Sequence, residues 1–177
     1  MDSTLPEVLT INVRPAVLKY LRRELQLVEG QAFRLTKTCE VGRFLYHALR
    51  NPQQDRQYNG VAMYTERFTV HVSQQMSWLN GCRHLTDQGV HDFNRQVEDM
   101  MKRDFLKTVN VLADHGVHFE TKKVALRFMD GYGITEEDMT LDALVKAHYR
   151  FRKAQQTALN RQVSIPICPA PQLQAAA

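Results

Sequence analysis

The sequence predicts an α+β fold, in which a small mixed region with two or three strands and two helices (about 5–75) is followed by a helical region (about 77–160). Two segments carry strand signals. Residues 9–14 alternate between apolar and polar side chains, and residues 61–72 are rich in β-branched and aromatic side chains. From residue 77 onward, apolar residues recur at helical spacing instead. Strands followed by a run of helices are typical of α+β proteins.

Length and composition fit one soluble globular domain. The chain has 177 residues, of which 44% are hydrophobic and 24% are charged, and this suffices to bury a core. Its three cysteines form no CxxC pair, no apolar run approaches the length of a membrane span, and the first residues lack the pattern of a secretory leader. We therefore expect a cytoplasmic protein with no membrane partner.

The first helix is predicted to begin at Pro15 or Ala16, because proline in the first turn of a helix loses no hydrogen bond. It should end near Gly30, since glycine readily adopts the left-handed conformation that closes helices. A second helix should follow the extended piece AFRL, with Thr36 or Thr38 as its N-cap. The predicted apolar stripes are Val17, Leu18, Leu21 and Leu25 on the first helix, and Val41, Phe44, Leu45, Ala48 and Leu49 on the second.

The later elements are a strand within 61–72, a long helix at about 88–114 and a basic last helix at about 141–160, for which Thr140 is the expected cap. The Pro-rich tail, 161–177, is predicted to be flexible. The expected core side of the strand is Tyr64, Phe68, Val70 and Val72, with Glu66 as an exception, and the stripe of the long helix is Val90, Phe93, Val97, Met100, Met101, Phe105, Val109 and Leu112.

Positive charge is concentrated at the two ends of the chain. Residues 1–50 carry eight Lys and Arg against five Asp and Glu, a net charge of +3. Residues 141–177 carry five against one, a net charge of +4, whereas residues 51–140 carry ten against thirteen. A polyanionic partner is therefore expected to bind at the ends of the chain rather than at its middle.

Residues 8–50 follow the order strand, helix, turn, capped helix, and in this order they resemble a ribbon-helix-helix domain. In that family two chains pair their N-terminal strands as an antiparallel ribbon that enters the major groove of DNA. The resemblance implies a homodimer in which Leu9, Ile11 and Val13 pack inward while polar residues face the bases. The implied DNA contacts are Thr10, Asn12 and Arg14 on the strand, and Lys37 and Thr38 beside a phosphate at the start of the second helix.

A second interpretation of the same strand stays open. The connection QLVEGQAFRL is longer than the tight turn that is usual in ribbon-helix-helix proteins. In this interpretation LTINV is one strand of an ordinary α+β sheet, and the other strands of that sheet are AFRL and VAMYTERFTVHV.

The segment 128–153 has the outline of a helix-turn-helix: a helix, a glycine-rich stop, an acidic turn and a basic helix. The alternative for the basic residues of this last helix is a solvated face near a helix C-terminus, where cations oppose the helix dipole favourably. The residues predicted to contact nucleic acid on the last helix are Lys146, Tyr149, Arg150, Arg152 and Lys153.

No residue pattern indicates an enzyme, a metal site or a cofactor. The motifs GxxxxGK[ST], GxGxxG, HExxH and GxSxG do not occur in the chain. Cys82, His84 and His91 form the densest group of potential metal ligands, but no fourth ligand follows at a zinc-site spacing. We therefore expect no catalytic residue, no metal, no cofactor and no small-molecule ligand.

The whole chain resembles small uncharacterised proteins of bacterial phages and mobile elements, and the segments that carry this resemblance are LTINVRPAVLKYLRRE, CEVGRFLYHALR and YGITEEDMTLDALVKAHYRFRKA. The predicted function is non-enzymatic DNA binding in a regulatory or accessory role. Lys19, Arg22 and Arg23 of the first helix are predicted to add to the electrostatic attachment. The alternative is a structural or assembly protein whose basic ends bind another protein.

Overall fold

The computed structural model of the chain describes residues 7–50, 63–78, 82 and 85–163. These residues form an α+β fold with a three-stranded sheet and a helical region, which confirms the predicted fold class. The predicted tail lies outside the described residues, apart from its first three, which are helical. The elements are β1 (Glu7–Val13), α1 (Pro15–Glu24), β2 (Phe33–Arg34), α2 (Glu40–Arg50), β3 (Glu66–Val72), α3 (Gln74–Trp78), α4 (Asp87–Asp114), α5 (Thr121–Tyr132) and α6 (Leu141–Val163).

The sheet has the strand order β1-β3-β2, so that β3 is its central strand. β1 pairs with β3 in antiparallel fashion, with Ile11 opposite Phe68, and β2 pairs with β3 in parallel fashion, with Phe33 opposite Val70. The N-terminal strand therefore has its partner within the same chain. The segments AFRL and VAMYTERFTVHV supply the other two strands, as the α+β interpretation predicts.

Only one face of the sheet is buried, and this explains the two-residue period of the sequence. Ile11 and Val13 of β1 and Phe68, Val70 and Val72 of β3 are at most 2% exposed. The intervening residues of both strands are exposed or half-buried. The predicted core sides of both strands are confirmed, and Glu66 is exposed at the start of β3.

α1 ends at Glu24, six residues before the predicted end at Gly30. The chain turns at Gln26, which adopts a left-handed backbone conformation with φ 52°. The N–H of Leu27 then donates to the carbonyl of Arg22 over 2.8 Å, which satisfies a carbonyl at the helix end. The prediction was wrong because glycine is the usual residue at such a turn and here the position holds glutamine.

α2 begins at Glu40, and neither Thr36 nor Thr38 is its cap. The Sγ atom of Cys39 instead accepts a hydrogen bond from the N–H of Gly42 at 3.4 Å. The N–H of Thr38 donates to Oγ1 of Thr36 over 2.9 Å, and the two hydroxyls bond to each other. The threonines therefore stabilise the turn that leads into α2.

α4, with 28 residues, packs against both the sheet and the other helices. Phe93, Met101 and Phe105 are fully buried on its predicted stripe, and the ring of Phe93 stacks on that of Phe68 at a centroid distance of 6.0 Å. α5 and α6 both pack on α4, so one hydrophobic core runs through the described residues. Among the described helices, none combines the length and the apolar character that crossing a bilayer requires.

Candidate nucleic-acid interface

The face of the sheet that points away from the core carries mostly polar side chains. By strand alternation, Glu7 and Glu66 belong to the opposite, core-facing side, so the solvent side has no carboxylate from the three strands. Every residue on it is exposed or half-buried. We call it the outer sheet face, and its residues are Val8, Thr10, Asn12, Arg34, Arg67, Thr69 and His71.

The strand register arranges the outer sheet face in cross-strand pairs. Thr10 lies opposite Thr69, and Asn12 lies opposite Arg67. Directly opposed residues have Cβ atoms about 4.5–5.5 Å apart, so their side chains can contact one partner together. Thr10 and Asn12 are thus outward-facing, as predicted, whereas the importance of Arg67 emerges only from the pairing of β1 with β3.

Arg14, which was predicted to face the bases with Thr10 and Asn12, lies apart from them. Its guanidinium is directed toward α4, where Nη1 is 2.5 Å from Oε1 of Glu98. The guanidinium carbon also lies 5.8 Å from the ring centroid of Tyr64. Arg14 therefore connects the start of α1 to α4 and is already engaged within the fold.

The basic residues of α1 divide into one paired and two unpaired cations. Lys19 Nζ is 2.5 Å from Oδ2 of Asp138. Burial opposes ionisation of Asp138, but hydrogen bonds from Lys19 and Thr135 outweigh it and hold the pKa of that carboxyl below its usual range. Arg22 and Arg23 have no carboxylate partner within the described residues. They line a cavity of about 750 Å³ between the ends of α1 and α5.

The start of α2 is already occupied by charged groups of the chain. Lys37 Nζ lies 3.8 Å from the ring centroid of Tyr46, in a cation–π contact. Glu40 occupies the first turn of α2 and forms an ion pair with Arg103. A carboxylate thus stands where the sequence predicted a phosphate beside Lys37 and Thr38.

The first half of α6 is anchored in the core, and its second half is not. Leu144 is fully buried and His148 is half-buried. Burial, and then the charge of Arg152, lower the pKa of His148, so this imidazole carries less positive charge near neutral pH than an ordinary histidine. Beyond Phe151, every side chain of α6 that the structure describes is exposed, from Arg152 to Ala158 and at Asn160.

All the charged side chains of α6 that follow Asp142 are basic. Arg150, Arg152 and Lys153 have no carboxylate within 4 Å among the described residues, and Tyr149 is 68% exposed. Lys146 has a loose contact of 3.9 Å with Asp142, and both side chains are about 70% exposed. Asp142 is also the last acidic residue of the sequence. The five predicted residues of this helix therefore all face solvent.

Potential metal ligands are not clustered in the part of the chain that the structure describes. The described residues contain no group of three His, Cys, Asp or Glu side chains placed to hold a metal ion. Cys82 is buried, its Sγ donates to the carbonyl of Tyr46, and burial raises the pKa of its thiol. His84 and Cys168 lie outside the described residues.

Two surfaces of the molecule therefore have the chemistry of a nucleic-acid contact. The outer sheet face presents arginine, asparagine and threonine, which are side chains that bond to base edges, and α6 presents cations that attract phosphates. No family model matches this chain, and neither a curated protein nor a solved structure matches it.

Proposed function

We propose that this chain is a non-enzymatic DNA-binding protein that attaches to duplex DNA through α6 and acts in a regulatory or accessory role in a phage or mobile element. One observation carries the proposal: the exposed part of α6 has three cations without a carboxylate partner in the described structure, in a segment that lacks acidic residues after Asp142. Most protein surfaces mix charges of both signs, so a helix segment whose charges are all positive favours a polyanionic partner.

The spacing of these residues supports a contact along one side of the helix. Tyr149, Arg150 and Lys153 follow Lys146 by three, four and seven residues. At helical spacing these four residues occupy neighbouring positions on one face. A helix with its side chains is about 10–12 Å wide, and the major groove is about 12 Å wide. The cations on this side, Lys146, Arg150 and Lys153, would lie against phosphates, and each would displace counterions from the DNA.

The helix dipole does not account for these charges. The favourable interaction of cations with a helix C-terminus is limited to the last turn. Arg150, Arg152 and Lys153 lie ten or more residues before the last helical residue, Val163. A ligand outside the chain is the better explanation for their number and exposure.

The test is the salt dependence of DNA binding by the whole chain. The triple variant Lys146→Ala, Arg150→Ala, Lys153→Ala should flatten the slope of log K against log salt by up to about 3, because each lost phosphate contact removes about 0.9 from the slope for duplex DNA. Fluorescence anisotropy with a labelled duplex gives the slope. The charge-preserving triple Lys146→Arg, Arg150→Lys, Lys153→Arg is the matched control and should retain it.

A second control separates a local contact from a loss of net charge. Arg43, Lys122 and Arg127 are exposed residues of other helices, and changing all three to alanine removes the same charge. If this control and the α6 triple flatten the slope equally, α6 is not the contact. If the unmodified chain shows no salt-dependent affinity for DNA, the proposed function is wrong.

The second candidate function is a structural or assembly protein, and it is favoured by the exposure of α6 beyond Phe151. A projecting helix is also a common ligand for a groove on a protein partner. Binding through an apolar groove changes little with salt, whereas binding to phosphates weakens steeply. A partner complex that persists at high salt, together with absent DNA binding, would place this candidate first.

As an alternative to a monomer that binds DNA, we propose a homodimer in which the β1 strands of two chains pair along the edge that faces away from β3. The other edge of β1 is fully paired with β3 from Glu7 to Val13. Near Val13 the outward edge is bonded to the side chain of Asn94, which leaves the part around Val8 and Thr10 for a second chain. Light scattering at micromolar concentration should then give twice the chain mass. A monomeric mass would remove the ribbon and leave DNA binding through α6 in place.

A further inference from the structure

We infer that the outer sheet face enters the major groove of duplex DNA and reads the base sequence, while α6 supplies attachment to the backbone. The inference rests on the proposed function and goes beyond it, because it assigns sequence reading to a face built within one chain. The specificity residues are Asn12 and Arg67, with Thr10 and Thr69 beside them.

Charge complementarity identifies the occupant of this face. The outer sheet face carries Arg34 and Arg67 and no carboxylate from its strands, so it attracts a polyanion. It also lacks Phe, Tyr and Trp, on which single-stranded bases would stack. Duplex DNA, read through hydrogen bonds at base edges, is therefore favoured over a single strand.

The dimensions of the sheet fit the groove at one end. β2 is two residues long and pairs with β3 only at Val70 and His71. Along the pairs Thr10–Thr69 and Asn12–Arg67, the face consists of β1 and β3, which is a two-stranded ribbon. A two-stranded ribbon is an element that the major groove admits.

The side chains of this ribbon have the chemistry for reading adjacent base pairs. Arginine bonds bidentately to O6 and N7 of guanine, and asparagine bonds bidentately to N6 and N7 of adenine. Asn12 and Arg67 are directly opposed in the register, so their Cβ atoms lie about 5 Å apart. Threonine hydroxyl and methyl groups at 10 and 69 add contacts to neighbouring base edges.

The ribbon is held rigidly where these residues project. Asn94 bonds to the carbonyl of Asn12 and to the N–H of Arg14, which fixes the end of β1 against α4. Phe68, the next residue of β3, points to the core side of the sheet and is buried against Phe33 and Phe93. A base-reading pair on a fixed backbone loses little freedom when it binds, which favours specificity.

The experiment selects sequences from a pool of random duplexes with the full chain, and then compares its Kd for an enriched duplex with its Kd for random duplex. Arg67→Lys keeps the charge but loses the planar fork, and Asn12→Ala keeps the charge of the face. Each change should lower the ratio of specific to random affinity by about tenfold or more, while the affinity for random duplex stays within about twofold. Arg43→Lys, on α2, is the matched control and should leave the ratio unchanged.

The outcomes separate this inference from the proposed function. If no sequence is enriched while the α6 triple variant still flattens the salt slope, the inference is wrong and the proposed function stands. The inference also fails if Arg67→Lys and Asn12→Ala retain the full ratio, or if a single strand of the enriched sequence binds more tightly than its duplex. If the unmodified chain has no salt-dependent affinity for DNA, both proposals fail.

Discussion

The side chain of Asn94 extends the hydrogen bonding of the sheet at Asn12. Its Nδ2 donates to the carbonyl of Asn12 over 3.1 Å, and its Oδ1 accepts from the N–H of Arg14 over 2.9 Å. One carboxamide thus satisfies a carbonyl and an N–H that a neighbouring strand would otherwise satisfy. Asn94 is 1% exposed, so water cannot easily replace either bond. This contact fixes α4 against the end of β1.

We expect Asn94→Ala to lower the free energy of unfolding by about 1–3 kcal/mol, because it removes two hydrogen bonds to partly buried backbone groups of Asn12 and Arg14. Urea denaturation measures the change. Asn110→Ala, on the same helix at a half-buried position, is the matched control and should change stability by no more than about 0.5 kcal/mol. Equal effects of the two changes would show that the bonds of Asn94 contribute nothing particular.

Gly42 and Gly131 are both helical glycines, and we expect opposite results when each is changed to alanine. A Cβ atom at position 42 would lie 1.9 Å from the carbonyl oxygen of Thr36, so the turn before α2 must move. A Cβ atom at position 131 meets nothing within 4 Å. Gly42→Ala should therefore destabilise the protein, whereas Gly131→Ala should stabilise it by up to about 1 kcal/mol through helix propensity. The midpoint temperatures of thermal unfolding of the two variants test this prediction. A higher midpoint for Gly42→Ala would contradict the close packing against Thr36.

Gln26 and Gly116 occupy equivalent left-handed positions after α1 and α4, with φ values of 52° and 67°. Glycine adopts this conformation without the steric cost that other residues incur. Gln26→Gly should stabilise the protein by about 1 kcal/mol, and Gly116→Ala should destabilise it by about 1 kcal/mol. Denaturant midpoints of the two variants should shift in opposite directions. A destabilising Gln26→Gly would mean that the side chain of Gln26 contributes more than the strain removes.

Tyr20 should make the protein sensitive to alkali. Burial, and then the hydrogen bond to Asp104, raise the pKa of this phenol above its usual value near 10. The folded state therefore holds its proton where the unfolded state has lost it, so stability is fully present below pH ~10 and falls as the pH rises above that value. Tyr20→Phe should flatten the loss of stability between pH ~9 and ~11, as measured by urea midpoints. A loss of stability in alkali that is just as steep in Tyr20→Phe would contradict this prediction.

The elements that the sequence predicts well are those whose signal is local. The buried stripe of α4 follows from apolar residues at helical spacing, and the inward side of β1 follows from strict alternation. The residue at which α1 ends and the cap at which α2 begins were not predicted correctly, because the chain uses unusual residues at both positions. Glutamine takes the left-handed turn at position 26, and the thiol of Cys39 accepts the bond that a hydroxyl usually accepts.

The candidate interface was only half predictable, because its other half depends on contacts between distant residues. Thr10 and Asn12 are outward-facing as a matter of strand period. Arg67 joins Asn12 only because β1 pairs with β3 in one particular register, which no local pattern specifies. Arg14 was expected beside them, but its partner Glu98 lies 84 positions later in the chain.

The pairing of β1 with β3 also constrains the order in which the protein can fold during synthesis. Val13 and its partner Glu66 are separated by more than fifty residues, and the central strand of the sheet is the last of the three to be made. At a translation rate of about 5–20 residues per second, β1 must wait roughly 3–10 s for that strand. Asn94 emerges later still. The first strand therefore leaves the ribosome with both edges open, and nascent chains are most exposed to mispairing or to chaperone capture during this interval.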